Sequence, residues 1–233
     1  YHKIKASLPF FIPAPPPLGT LGAAISIREP IPDNKSLLDL GFAGPIAGFI
    51  VAIPVSIIGL SLAASSPQTF PTGQIEFTVF KINFPIILIL IGRLFPQLQS
   101  ITIHPTLFAG WVGFLVTGLN LLPAGQLDGG HIIRSLFGEY SKYASYVAVG
   151  FLVIVGLWKY IGWLIFAFFI LFLVGLKHPP PLNDVTKLDN KRKAIGVFAI
   201  IMLFICFNPI PIEEQTYRYD FDVQLDESSF QNL

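Results

Sequence analysis

Asn120-Leu-Leu-Pro-Ala-Gly-Gln-Leu-Asp128-Gly-Gly-His131 sets an acid, an imidazole and an amide on a backbone broken by proline and glycine, directly after a strongly apolar segment. Pro123 has no amide hydrogen, so a helix carrying Asn120 stops or bends there. Gly125, Gly129 and Gly130 open backbone geometries closed to other residues. A carboxylate at the centre of a membrane helix costs roughly 2.5–3.5 kcal/mol on insertion scales, which marks Asp128 as a functional candidate. Broken backbone at membrane depth persists only where protein or a water-filled cavity supplies hydrogen-bond partners. Asp128 is therefore expected in the hydrated interior of a helical bundle, binding a metal, carrying a proton or pairing with a cation. The plainer alternative makes Asp128 a cap for a helix starting near Gly129, with Arg134 as counter-charge.

The composition around this stretch is that of an integral membrane protein. Apolar residues make up 53% of the 233 and charged residues only 12%, well below the quarter usual in soluble domains. The mean hydropathy of +0.66 agrees. Charge is also segregated: no Asp, Glu, Lys or Arg lies between Asp39 and Glu76, Arg93 and Asp128, Lys142 and Lys159, Lys159 and Lys177, or Lys193 and Glu213. A spanning helix needs about 20 mainly apolar residues, and these gaps accommodate several crossings. The net charge of +1 and the lack of a long basic cluster give no footprint for nucleic acid. Cys206, the single cysteine, forms no intrachain disulfide and reads as a small buried hydrophobe.

The pattern predicts an all-α polytopic membrane protein of about five to six membrane segments, with a short strand-like, membrane-associated element near its N-terminus. Three regions are expected: residues 1–36, 37–207 and 208–233. In the first, Pro9, Pro13, Pro15, Pro16 and Pro17 exclude a spanning helix and favour an extended or polyproline-like loop. Thr20 to Arg28 is short, partly β-branched and alternating, as a strand is. Ser36 or Asp39 is expected to cap the next helix. In the second, the membrane domain, Leu40 to about Ala64 is the clearest segment, with small residues for close helix approach and kinks expected at Pro45 and Pro54.

Ser65 to Thr78 reads as a loop, and Phe84 to Phe95 as a short span, a re-entrant piece or an interfacial helix. Thr106 to Leu122 is a second strong segment. Tyr143–Trp158 and Tyr160–Leu176 form a helical hairpin with Trp158, Lys159, Tyr160 and Trp163 as an interfacial belt at its tip. Lys187, Lys191, Arg192 and Lys193 place the 177–193 loop on the cytoplasmic side. A last span from Ala194 to about Phe207 leads to an extramembranous tail.

Asn120-x-x-Pro123-x-x-x-Leu127-Asp128-Gly129 resembles the second signature of the site-2 protease family, the intramembrane zinc metalloproteases. Phe42-Ala-Gly-Pro45-Ile-Ala-Gly48-Phe49, the proline-rich Phe10-to-Gly19 stretch, Gly19-Thr-Leu-Gly22, and His104-Pro105 through Ala109-Gly-Trp111 resemble the branch found in archaea, cyanobacteria and plastids. The resemblance covers most of residues 1–140 and continues more loosely beyond them. It implies a zinc metalloendopeptidase that hydrolyses peptide bonds of membrane-anchored substrates in regulated intramembrane proteolysis. It implies one zinc ion with Asp128 as a ligand, and Asn120 positioning the substrate. It also implies an edge strand around Leu21, Ala23, Ile25 and Ile27 that pairs with an unwound substrate by β-augmentation. The expected partners are the lipid bilayer and a membrane-anchored protein. A prokaryotic cell membrane is the first expected location, a plastid membrane the second.

The chain departs from the family in one respect. The family's His-Glu-x-x-His places two histidine ligands on one helical face, with its glutamate as general base. Here the four histidines, His2, His104, His131 and His178, have no such spacing. Catalytic zinc takes three protein ligands and an open position, so the ligand set is incomplete in this segment. In the family that helix directly precedes a segment resembling Tyr1-His2-Lys3-Ile4-Lys5-Ala6, and the segment alone is expected to be inactive. His131, one helical turn past Asp128, is expected to orient it or reach the metal, against the plainer reading of an ordinary polar contact. His104 reads as a boundary residue, and His2 and His178 as solvated loop residues. Two other readings share these residues: an inactive membrane scaffold of the same family, and an ion-coupled transporter using Asp128.

Overall fold

A computed structural model describes residues 8, 10–13, 20–24, 29–64, 76–95, 103–176 and 178–218. Strands β1 (Phe10–Pro13) and β2 (Thr20–Ala24) come first, then the long helix α1 (Asn34–Ala64). Strand β3 (Glu76–Ile82), the short α2 (Ile86–Gly92), α3 (Pro105–Asn120) and α4 (Asp128–Phe137) follow. A 3₁₀ turn at Gly138–Tyr140 links α4 to α5 (Ser141–Trp158). Then come α6 (Gly162–Phe169), which runs on as a π-helical turn through Val174, α7 (Asn190–Cys206) and β4 (Ile212–Arg218).

The core is α1 against α3, running antiparallel, and small residues set their separation. A Cβ at Gly113 would lie 3.1 Å from Ala52 Cβ, and one at Gly48 would lie 3.2 Å from the Thr117 hydroxyl. Gly59 packs on Leu107 and Gly110 on Ser56 by the same logic. With so little side chain between them the backbones approach closely, as membrane helices do. Phe49, Leu60, Leu88, Leu107, Trp111, Phe114 and Met202 fill the remaining space. The α5–α6 hairpin builds a second cluster from Val149, Leu152, Trp163, Ala167 and Ile170, which receives Leu122 and Ala124.

Outward faces are apolar too: Ile50, Val51, Ile154, Leu157, Phe172 and Phe204 are all exposed. Surface of that kind requires lipid or a partner. Two stretches, Asn34–Ala63 and Asp128–Trp158, are long and apolar enough to cross a membrane. The expected five to six crossings are not all of that length, since α3 has 16 residues and α7 has 17. α1 continues unbroken through Pro45 and Pro54. At 7 residues α2 is far too short to span, which decides the Phe84–Phe95 region against a crossing helix.

Other expectations are corrected. The chain is not all-α: besides the anticipated β2, it contains β1, β3 and β4. β1 lies in the proline-rich stretch and pairs antiparallel with β2, its register shifting between Phe11 and Pro13. Proline is tolerated at such an irregular edge. β3, whose first residues Glu76–Thr78 fall in the expected loop, pairs antiparallel with β4 in the expected C-terminal tail, from Glu76↔Arg218 to Ile82↔Ile212. Asn83 seals their base: its amide donates to Ile210 O at 2.9 Å, and its carbonyl accepts from Trp111 Nε1 at 3.0 Å. Asp33, neither Ser36 nor Asp39, caps α1, accepting the Ser36 amide at 2.7 Å. Trp163 leaves the expected interfacial belt, being buried and donating to Pro209 O at 2.7 Å.

Candidate functional site

The helix break falls where Pro123 predicts it. After Asn120 the chain makes tight turns through Leu122, Ala124 and Leu127, then starts α4 at Asp128. Gly125 has φ +49°, the left-handed region open to glycine, and its amide donates to Ser145 Oγ at 3.4 Å. Gly129 and Gly130 lie against the carbonyls of Leu121, Leu122, Ala124 and Gly125, so the connection folds back onto the first turn of α4. Side chains at 129 and 130 would push this turn away. The double glycine after Asp128 is thus a packing requirement.

Asp128 faces α1. A Cβ on Gly44 would lie 3.1 Å from Asp128 Oδ2, and one on Gly41 would lie 2.7 Å from Asp128 O and from His131 Cβ. Gly44 is ten residues into α1, about 15 Å along it at 1.5 Å per residue. Counted from Asp39, the last charged residue before the apolar run of α1, Gly44 is five residues on, so the acid lies about 7 Å into that run. Arg134 is not its counter-charge: that guanidinium is buried and pairs with Asp184 Oδ2 at 2.6 Å. Among the described residues no side chain forms an ion pair or hydrogen bond with the Asp128 carboxylate. Asn120 ends α3 at the margin of the break, half-buried, with no hydrogen bond to Asp128.

His131 follows one turn after Asp128, and its Nδ1 meets Nε2 of His178 from the 178–189 segment. The rings lie nearly perpendicular, at 81° with centroids 4.6 Å apart. His178 is thus no solvated loop residue. Its Nδ1–H donates to Pro179 O at 2.6 Å, and burial, the largest cause, pushes its imidazole below the ordinary value. No spacing in the sequence signals this pairing across 47 positions. His104 instead caps α3, accepting the Thr106 amide at Nδ1 ahead of Pro105. His2 lies outside the described residues.

For a metal, the chemistry of the donors gives a partial fit. Asp128 offers a hard oxygen ligand, and the missing side chain at Gly44 leaves room before it. Among the described residues, however, no three His, Cys, Asp or Glu side chains form a metal-binding group. These residues offer one candidate ligand and not a zinc site. Of the substrate-strand candidates, Leu21 and Ala23 lie on β2, with Ala23 paired to Phe11, so β1 occupies one edge of that strand. Ile25 and Ile27 lie outside the described residues.

The chain is 30% identical over 215 residues to "Probable zinc metalloprotease EGY1, chloroplastic" of Arabidopsis thaliana, covering 89% of this chain and 38% of that protein. It is 28% identical over 214 residues to the Arabidopsis protein named "Probable zinc metalloprotease EGY2, chloroplastic", covering 89% and 37%. The EGY3 protein of Oryza sativa subsp. indica, likewise named a probable chloroplastic zinc metalloprotease, matches at 27% over 237 residues, covering 94% and 39%. The chain thus spans less than half the length of these relatives. No solved structure matches it. These relatives are chloroplast proteins, and they lend no support to a prokaryotic cell membrane. Residues 6–157 match the profile of peptidase family M50, and with them the chain belongs to that family of site-2-type metalloproteases.

Proposed function

We propose that this chain is the Asp128-bearing part of an intramembrane zinc metalloendopeptidase, that Asp128 is one of the zinc ligands, and that the membrane is a plastid one. The observation that carries this reading is a partly buried acid turned toward the apolar run of α1, faced by Gly44 and unpaired among the described residues. So costly a group is retained where it binds something. The open side of the site supports completion by another segment: Ala43, Gly44, Ala47 and Gly48 leave an exposed strip of small residues on α1 beside the carboxylate. A helix carrying the other ligands packs there, and the 233-residue segment alone does not cleave. Asn120 positions the substrate at the break, and the edge of β2 opposite β1, unpaired among the described residues, receives it as an extended strand. The substrate is a membrane-anchored protein, since the site lies below the membrane surface.

The test is cleavage of a single-span reporter by the full-length protein in vesicles. Activity is expected to stop with a zinc chelator, return with added zinc, and fall by about 100-fold or more in Asp128→Asn. Full cleavage by that variant would overturn the assignment. A wild-type protein that binds the reporter without cutting it would point to the scaffold reading.

A further inference from the structure

A groove of about 170 Å³ lies between α4 and α7. Leu121 and Pro123 from the break, Gly129 and Ile133 from α4, and Ile200 and Phe204 from α7 line it, and every lining residue is apolar. Phe204 at its rim is exposed and Ile200 is half-buried, so the groove opens sideways onto the outer apolar surface. Toward the polar end of α7 it is closed. There Gly196 brings α7 against α4, and a Cβ on it would lie 2.7 Å from Leu136 Cδ1.

The stripe of α7 that borders the groove carries a cation at its head. Lys193 precedes Ile200 by seven residues and Phe204 by eleven. At 3.6 residues per turn all three fall within about 20° of one side, with Lys193 about 10.5 and 16.5 Å above the other two. Lys193 is exposed, and among the described residues no acid pairs with it. Of the acids near that end, Asp39 and Asp189 are held by Arg192 at 2.7 and 3.4 Å, and Asp184 by Arg134. Lys187 and Lys191 are exposed there too.

We propose that this groove is a binding site for one anionic phospholipid, with an acyl chain against Ile133, Ile200 and Phe204 and the net-negative headgroup on Lys193. A dry apolar hollow of this size takes apolar groups. A helix from another protein, about 10 Å across, is too wide for it, whereas an alkyl chain is not. The depth matches as well. One leaflet with its headgroups is about 20 Å thick, so a headgroup at Lys193 sets the middle of its chain between Ile200 and Phe204. Basic groups at the ends of membrane helices favour anionic headgroups in this way. Gly129, the neighbour of Asp128, forms part of the wall, so the lipid lies against the turn that carries the acid. The site does not depend on what Asp128 binds.

Native mass spectrometry of the full-length protein, titrated with phosphatidylglycerol or phosphatidylcholine of equal chain length, reads the site without any cleavage assay. The first phosphatidylglycerol is expected to bind about 5-fold more tightly than the first phosphatidylcholine, the effect of one lysine at an anionic headgroup. Lys193→Gln should abolish that preference, while Lys159→Gln, at the tip of the α5–α6 hairpin, should keep it. Ile200→Trp, which fills the groove, should weaken the first binding of phosphatidylglycerol at least about 5-fold. Equal wild-type affinity for the two lipids, the same preference in Lys193→Gln, or undiminished binding in Ile200→Trp would overturn the site. So would a photo-crosslinker at position 204 that captures a protein span instead of lipid in native membranes. Each of these results leaves the peptidase reading untouched.

Discussion

Gly44 of α1 stands directly before Asp128 of α4, so close that a methyl group at 44 would lie 3.1 Å from the carboxylate Oδ2. The acid keeps its open side because this position has no side chain. Gly44→Val in the full-length protein is expected to reduce reporter cleavage at least about 10-fold, as misplacement near the reacting centre does. In the 233-residue segment Gly44 is exposed, so an unchanged melting temperature of that segment is expected and checks that the substitution does not unfold it. Full activity would show that the space before Asp128 is not used.

Gly41 differs, because it meets α4 through backbone. A Cβ there falls 2.7 Å from Asp128 O, which cannot rotate away, so Gly41→Ala forces α1 and α4 apart. Destabilisation of about 1–3 kcal/mol is expected. Gly150, where an added methyl group would meet nothing within 4 Å, is the control: Gly150→Ala should stabilise by up to about 1 kcal/mol through helix propensity. Reversible unfolding in detergent separates the two.

Asp184→Ala strips the buried Arg134 of its partner, whereas Arg134→Met removes the charge itself. The first is expected to cost about 1–3 kcal/mol, below the range for fully buried pairs because Asp184 is partly exposed. The second should cost less. Equal losses would mean the ion pair merely packs.

Trp163→Phe keeps an aromatic ring near Phe207 but deletes the donor to Pro209 O. A loss of about 0.5–1.5 kcal/mol is expected from that hydrogen bond. No loss would show that the indole N–H is dispensable to the α6–tail contact.

The helices are legible in the sequence because charge is excluded from lipid: the gaps after Asp39, Lys142 and Lys193 coincide with α1, α5 and α7. Pro123 likewise announces the break before Asp128. The β3–β4 ribbon is not legible. The alternation of Glu76 to Val79 in β3 breaks at Phe80, Glu213 to Thr216 in β4 are all polar, and the pairing joins segments more than 120 residues apart. His178 escapes for a related reason, since nothing local to His178-Pro-Pro-Pro encodes its approach to α4. The cap of α1 is ambiguous because Ser36 and Asp39 are as good by residue type as Asp33, and the turn geometry decides among them. At the site, the sequence singles out Asp128 and His131 as candidates, and the plainer alternative, with Arg134 as counter-charge to Asp128, fails because Arg134 pairs with Asp184.

The central claim is that Asp128 binds zinc. Metal content of the purified full-length protein, wild type against Asp128→Asn, tests it most directly. One zinc per chain in the wild type and near-complete loss in the variant is the predicted result. Equal zinc in both proteins, or none in a wild type that still cleaves its reporter, would contradict it.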